Sequence, residues 1–116
     1  MHAPSKDADG LRIILQLIDH LHRRLAPLTF DQFENDVDEV DLTAFRLAHI
    51  GETAKWLSED LRARHRQIPW RAMYDMRNVL THDYAAILPE RLWTTAREQL
   101  EALERICREE LHRSSK

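Results

Sequence analysis

The sequence is poor in the residues that cross-link or interrupt a chain. It holds one cysteine, two glycines and four prolines among 116 residues. A single cysteine excludes a disulfide framework within one chain, so a reducing cytoplasm is the expected compartment. The scarcity of glycine and proline favours long helices with few breaks.

Long apolar segments are missing as well. No run approaches the roughly 18 apolar residues of a membrane span, and the opening "MHAPSKDADG" lacks the apolar centre of a secretory signal. Hydrophobic residues make up 43% of the chain and charged residues 32%, which is typical of a globular domain. We therefore expect one domain over residues 1–116, with residues 1–6 flexible.

An excess of basic charge is also lacking. The net charge of −3 argues against a protein that coats nucleic acid by bulk electrostatics. Yet residues 61–84 carry five arginines against two aspartates, a local net of +3, whereas residues 31–41 hold six carboxylates and no lysine or arginine. Two interpretations stay open: two solvated faces of opposite sign, or a basic surface for a polyanion. The candidates for contacts with a polyanion such as RNA are Arg62, Arg64, Arg66 and Arg71.

What the sequence does contain is helical periodicity. Apolar residues recur at spacings of three and four, and no segment alternates apolar and polar residues as a strand would. The prediction is an all-α, up-and-down bundle of four or five helices. The helices are predicted at residues 7–25, at a short segment opened by a capping box between Thr29 and Gln32, at 37–57, at 70–82 and at 89–112.

Three residues refine these helices. Ser58 is expected to cap a short extension of the third helix, and Pro69 suits the first position of the fourth. Gly51 lies inside the third helix, where glycine costs about 1 kcal/mol relative to alanine. A helix that keeps such a residue often does so because a neighbouring backbone approaches closely, and we expect that here.

The sequence contains no motif for most familiar kinds of catalytic site. His20 and His22 lie on nearly opposite sides of a helix, and no metal-binding motif of histidines or cysteines occurs, so neither a metal nor a cofactor is expected. Cys107 falls on the apolar stripe of the last helix, where a small buried hydrophobe is the better account than a nucleophile.

The segment "MRNVLTHDY", residues 76–84, is unusually rich in polar groups for a helix. Asn78 and His82 are four apart and share a face, so the amide could orient the imidazole. Arg77 and His82 are five apart, about 140° around the axis. They could hold one small group if the helix ends near His82, or if two copies of this helix meet across a twofold axis. The alternative is a solvated helix end with a histidine suited to the helix dipole.

Metal-free RNA cleavage would use this set of groups well. It requires a proton taken from a ribose 2′-hydroxyl and another given to the leaving oxygen, and an imidazole ordinarily titrates in the right range for either step. The negative charge gathered at phosphorus can be held by a guanidinium through two hydrogen bonds.

The same segment resembles a known family. Residues 77–84 match the Arg-x4-His-x-Tyr motif of HepT-like proteins, which belong to the HEPN superfamily of helical ribonucleases. "HIGETAKWL", residues 49–57, is similar to the Ile-Gly-Glu-Ala stretch of that family, and "HRQIPW", residues 65–70, resembles the run that leads into its motif. The likeness extends over residues 7–111.

The resemblance implies a HEPN-like bundle that forms a homodimer, with paired motif helices making a composite cleft. It implies that Arg77 and His82 are the catalytic residues of RNA cleavage and that Asn78 supports them. It further implies a toxin whose antitoxin is MntA, a minimal nucleotidyltransferase that adenylylates Tyr84. Adding AMP there would place a bulky anion beside the cleft and repel RNA phosphates.

Two other hypotheses remain open. One is a non-catalytic subunit that binds the nucleotidyltransferase and accepts AMP on Tyr84, and the other is a plain dimeric helical scaffold. The polar residues of the motif do not separate the first of these from a nuclease, because both need an accessible tyrosine.

Overall fold

The computed structural model describes residues 5–82 and 87–114, and within these ranges it contains seven α-helices and no strand. This confirms the predicted all-α class. The helices are α1 (Ser5–Leu25), α2 (Phe30–Glu34), α3 (Val37–Lys55), α4 (Glu59–Arg64), α5 (Trp70–His82), α6 (Pro89–Glu98) and α7 (Glu101–Ser114). None of the helices in these ranges is both long and apolar enough to cross a membrane.

The predicted helix starts follow from side-chain capping. The Thr29 hydroxyl accepts a hydrogen bond from the Gln32 amide at 3.1 Å, and the Gln32 side chain accepts one from the Thr29 amide at 2.9 Å. This is the expected capping box. Ser58 caps α4 by accepting from the Leu61 amide at 3.2 Å, so the predicted extension is a helix of its own.

The start of α1 and the end of α3 differ slightly from the expectation, since α3 ends at Lys55 rather than at residue 57, whereas the start of α5 is as predicted. Helix α1 begins at Ser5, inside the range expected to be flexible, of which residues 1–4 lie outside the described part. Helix α5 begins at Trp70, and Pro69 precedes it, with its carbonyl accepting from the Met73 amide at 3.0 Å.

The prediction of one final helix over residues 89–112 is wrong. The chain leaves the helix at Gln99 and Leu100 and begins α7 at Glu101. Leu100 stays buried at the break, and its carbonyl accepts from the Glu104 amide at 2.9 Å. The break lets α6 pack against α1, α2 and α3 while α7 runs along α1. The interruption involves no glycine or proline, so composition gave no sign of it.

The core lies where α1, α3 and the α6–α7 pair meet. Most of the apolar stripe of α1 is buried, and it supplies five of the largest enclosed side chains. They are Leu11, Ile14, Ile18, Leu21 and Leu25. Helix α5, which carries the polar segment, packs chiefly on α3 at the side of the bundle. The relation between α3 and α5 therefore determines where the motif side chains lie.

Candidate active site

Gly51 sets the distance between α3 and α5. A Cβ atom built on Gly51 would lie 2.7 Å from the carbonyl oxygen of Met73 and 2.8 Å from Cβ of Arg77. Only glycine fits at this crossing, which confirms the expected close approach of a neighbouring backbone. The contact places Cβ of Arg77 directly against α3.

The close crossing allows Arg77 to be held by side chains of both helices. Its Nε atom lies 2.7 Å from Oε1 of Glu52, the residue after Gly51. That oxygen accepts no hydrogen bond from the described residues, so the contact is an ion pair rather than an aligned hydrogen bond. Nη1 of Arg77 donates to Oδ1 of Asn78 at 2.8 Å. Two edges of the guanidinium are thus fixed, and Nη2 makes no hydrogen bond to the described residues.

Glu52 is itself held in place on α3. Its second oxygen accepts a hydrogen bond from the Trp56 indole at 2.9 Å. This bond, together with the charges of Arg77 and Lys55, outweighs burial and keeps the pKa of Glu52 below its ordinary value. The carboxylate therefore remains ionised, and it orients the guanidinium of Arg77 from one side.

Tyr74 and Lys55 continue the same surface away from Arg77. The Lys55 ammonium donates to the Tyr74 hydroxyl at 3.0 Å and lies 4.6 Å from its ring centre. The hydrogen bond and charge of Lys55 lower the pKa of Tyr74. The guanidinium carbon of Arg77 lies 6.0 Å from the same ring. A lysine, a tyrosine and an arginine therefore follow one another along the groove between α3 and α5.

His82 is the last residue of α5 and is exposed. Asn78 bonds to Arg77, so in this structure the amide orients the guanidinium rather than the imidazole. Residues 83–86, including the predicted modification site Tyr84, lie outside the described residues. Within one straight helix Arg77 and His82 diverge by about 140°, and this geometry alone does not bring them to one phosphate.

The four arginines predicted to contact RNA do not form a single cluster. Arg62 and Arg71 line one cavity beside Tyr74. Arg64 is hydrogen-bonded to the buried Glu110 at 3.2 and 2.8 Å, and Arg66 is exposed outside that cavity. The structure thus divides a charge run that looks uniform in the sequence.

Cys107 is fully buried, as expected of a small apolar residue. Burial raises the pKa of its thiol to about 12, so the thiolate is not available at neutral pH. In the part of the chain that the structure describes, no three histidine, cysteine or carboxylate side chains are grouped to hold a metal ion.

Glu52, Lys55 and Tyr74 were not among the residues predicted for the site. Glu52 and Trp56 are four apart on one helix, a spacing that the sequence alone displays. Lys55 and Tyr74 are 19 residues apart on different helices, and no local sequence pattern predicts their contact.

Comparison with known proteins decides the family. The sequence profile described as Ribonuclease HepT-like matches residues 14–110, which includes α3, α5 and the whole groove between them. The chain belongs to this family. HepT-like relatives include a protein of Thermococcus cleftensis whose name includes ribonuclease HepT, 30% identical over 82% of this chain and 86% of its own length.

Two further relatives are similar over different lengths. A protein of Caldanaerobacter subterraneus whose name includes RNase is 29% identical over 89% of this chain and 92% of its own length. A protein of Methanocaldococcus jannaschii, also with RNase in its name, is 36% identical over 57% of this chain and 54% of its own. No solved structure shows a significant match to the chain.

Proposed function

We propose that this HepT-like chain is a metal-independent endoribonuclease, the toxin of a two-gene toxin–antitoxin system. The observation that carries the proposal is the Arg77 guanidinium, which Glu52 and Asn78 fix on the motif helix at the groove between α3 and α5. An arginine held on two edges and open on the third is preorganised for a phosphate. The relatives named as ribonucleases support RNA as the substrate.

In the proposed reaction, the ribose 2′-hydroxyl attacks the adjacent phosphorus and the 5′-oxygen of the next nucleotide leaves. His82 removes the proton from the 2′-hydroxyl or gives one to the leaving oxygen, and solvent water serves the other of these two proton transfers. Arg77 binds the non-bridging oxygens, whose negative charge grows in the transition state. The products are a 2′,3′-cyclic phosphate and a free 5′-hydroxyl, so this step consumes no water and needs no metal.

We propose that the working unit is a homodimer, since the angle between Arg77 and His82 on α5 favours a site shared by two copies. The face beside the end of α5 supports this proposal. Phe45 is 65% exposed there, and a shallow cavity of about 290 Å³ lies between it and Leu80 and Thr81. Exposed aromatic surface of this kind is typical of protein interfaces.

Regulation by a partner completes the proposal. An MntA-type nucleotidyltransferase would transfer AMP from ATP to the hydroxyl of Tyr84, two residues after His82, with release of pyrophosphate. The added phosphate and nucleoside would fill space beside the cleft and repel RNA.

The test is RNA cleavage by the purified native chain, by His82→Ala and by Arg77→Ala. A positioned acid or base contributes about 10²–10⁴ in rate, so we expect each variant to lose at least about 100-fold. Cleavage at the native rate by His82→Ala would contradict the nuclease hypothesis. The hypothesis of a non-catalytic AMP acceptor would then remain.

Mixing the two inactive variants tests the shared site. After subunit exchange, half of the dimers contain one chain of each kind, and one of their two sites keeps both side chains. About one quarter of the native activity should therefore return. Exchange without recovery would show that Arg77 and His82 act within one chain.

A further inference from the structure

A cavity lined by cationic and aromatic side chains lies along the groove from Arg77. It has a volume of about 350 Å³, which falls at the small end of the range for sites that hold a small molecule or one unit of a polymer. Residues of α3, α4 and α5 contribute to it. They are Ala54, Lys55, Arg62, Trp70, Arg71 and Tyr74.

Three of the six lining residues are cationic and none is acidic. The Lys55 ammonium donates to the Tyr74 hydroxyl and interacts with the charge of Glu52. The Nε atom of Arg62 has no acceptor among the described residues. Arg71 lies 3.5 Å from Asp75, but the side chains of both are more than half exposed, and such a pair holds an arginine only weakly. The cavity is therefore a local concentration of positive charge on a chain whose net charge is negative.

Arg62, which lines this cavity, also carries an unpaired donor. Its Nε atom is enclosed by protein, yet it finds no hydrogen-bond acceptor in the ranges that the structure describes. Enclosed polar groups are ordinarily paired, and an unpaired one needs a specific explanation. An anion in the cavity would meet the guanidinium of Arg62, whose charge favours a charge-assisted hydrogen bond there.

Two aromatic rings complete the lining. The Trp70 indole donates to the carbonyl oxygens of Arg62 and His65 at 3.1 and 3.0 Å, so its ring is fixed against the end of α4. Tyr74 is held through its hydroxyl by Lys55. Rigid aromatic rings beside cations are the combination that binds single-stranded nucleic acid, because the cations take the phosphate and the rings stack on bases.

The cavity lies next to the proposed catalytic arginine. Tyr74 lines the cavity, and its ring centre is 6.0 Å from the guanidinium carbon of Arg77. One nucleotide spans several ångströms of backbone, so a strand whose scissile phosphate lies at Arg77 can place a neighbouring nucleotide in the cavity.

We infer that this cavity is a nucleotide subsite of the RNA-binding surface: Lys55, Arg62 and Arg71 bind a phosphate flanking the scissile one, and Trp70 and Tyr74 contact its base. The inference rests on the proposed ribonuclease function. It selects Arg62 and Arg71 from the basic run, adds Lys55, and leaves Arg64 and Arg66 outside the site.

The experiment measures binding rather than cleavage. The probe is a fluorescein-labelled 12-nucleotide single strand of 2′-O-methyl RNA, which lacks the attacking hydroxyl, and its anisotropy gives Kd for the native chain. Arg62→Gln and Lys55→Gln should each raise Kd about tenfold. Each should also reduce the slope of log Kd against log salt by about 0.7, the value for one lost phosphate contact on a single strand.

Arg66→Gln is the matched control, because it removes the same charge from an exposed arginine close by, outside the cavity. It should change Kd by less than twofold and leave the salt slope unchanged. Thermal melting confirms that each variant is folded, and the Trp70 bond to the backbone of Arg62 does not depend on the side chain that Arg62→Gln removes.

Three results would overturn the inference. Equal weakening by Arg66→Gln would mean diffuse attraction, and unchanged Kd in both cavity variants would mean that RNA passes elsewhere. Displacement of the probe by 5′-AMP at lower concentration than by unlabelled RNA would assign the cavity to a free nucleotide. None of these bears on whether cleavage requires Arg77 and His82, so the subsite and the nuclease can fail separately.

Discussion

The position of Arg77 depends on a methyl group that is absent from Gly51. Because α3 and α5 touch at this point, Arg77 leaves its helix directly beside Glu52 and is held there by a carboxylate and an amide. A wider crossing would leave a long, freely rotating side chain, and much of its preorganisation for an anion would be lost.

We expect Gly51→Ala to destabilise the protein by up to about 2 kcal/mol. Overpacking typically costs about 1–3 kcal/mol, and the better helix propensity of alanine returns about 1 kcal/mol at most. Urea denaturation measures the difference, and RNA cleavage should fall with it because Arg77 moves.

Gly10→Ala is the control for this substitution. A Cβ at Gly10 would lie 3.1 Å from the Leu57 side-chain tip and 3.6 Å from a Thr53 methyl group, and flexible side chains can yield where the Met73 backbone cannot. We expect no loss of stability and a gain of up to about 1 kcal/mol. Equal losses in both variants would contradict the special role of Gly51.

The properties of single residues were predictable where a backbone constraint or a local spacing determined them. The requirement for glycine at position 51 and the burial of Cys107 follow from helix propensity and from an apolar stripe. The role of Asn78 was anticipated only in part, since its amide holds Arg77 rather than His82. Which neighbour an amide selects depends on rotamers that the spacing leaves open.

Among the elements, α4 and α7 are joined by a carboxylate. Glu110 of α7 is buried, with Oε2 at 2.6 Å from Nε2 of His65 and two hydrogen bonds from Arg64. Burial alone would raise the pKa of Glu110, but the hydrogen bonds and charges of Arg64 and His65 outweigh it and the pKa is lowered. The short α4 is thereby anchored far from its neighbours in the sequence.

Glu110→Gln should cost about 1–3 kcal/mol at pH 7. The folded pKa of Glu110 lies below its ordinary value of 4.5, so the stabilisation is fully present above pH 4.5 and is lost as pH falls through the folded pKa. The difference between native and variant, measured by urea denaturation, should therefore shrink towards pH 3.

The neighbouring Glu109→Gln serves as the comparison, since Glu109 is exposed on the same helix. It should change stability by less than about 0.5 kcal/mol at either pH. A Glu110→Gln variant that is as stable as the native chain at pH 7 would show that this contact between α4 and α7 contributes nothing.

Most helix boundaries were predictable because caps and apolar spacing are local. The break between α6 and α7 was not, since the apolar residues on both sides keep spacings of three and four through it. The break is stabilised because the two shorter helices pack on different partners. Only the assembled bundle contains that information.

At the scale of the whole molecule, the groove along α3 and α5 lies at the side of the bundle and remains open to other molecules. The proposed dimer, RNA and nucleotidyltransferase would all use this side. Because these partners would share one side, a group added to Tyr84 would obstruct RNA binding directly.

We expect an MntA-type nucleotidyltransferase with ATP to add one AMP to the native chain and to Tyr74→Phe, but none to Tyr84→Phe. The two tyrosines are the only ones in the sequence, so intact mass distinguishes them fully. Lys55 lowers the pKa of Tyr74, which makes it the serious competitor. Loss of the added mass in Tyr74→Phe would move the modification into the groove.

The sequence by itself determined the all-α class, most helix boundaries, the glycine at the helix crossing and the family motif. These depend on periodicity, capping and propensity, which act over a few residues. Only the tertiary structure decided that Glu52 holds Arg77, that Lys55 meets Tyr74, and that Arg62 and Arg71 share a cavity from which Arg64 is excluded. Such pairs join residues of different helices, and their contact depends on how closely and at what angle the helices cross.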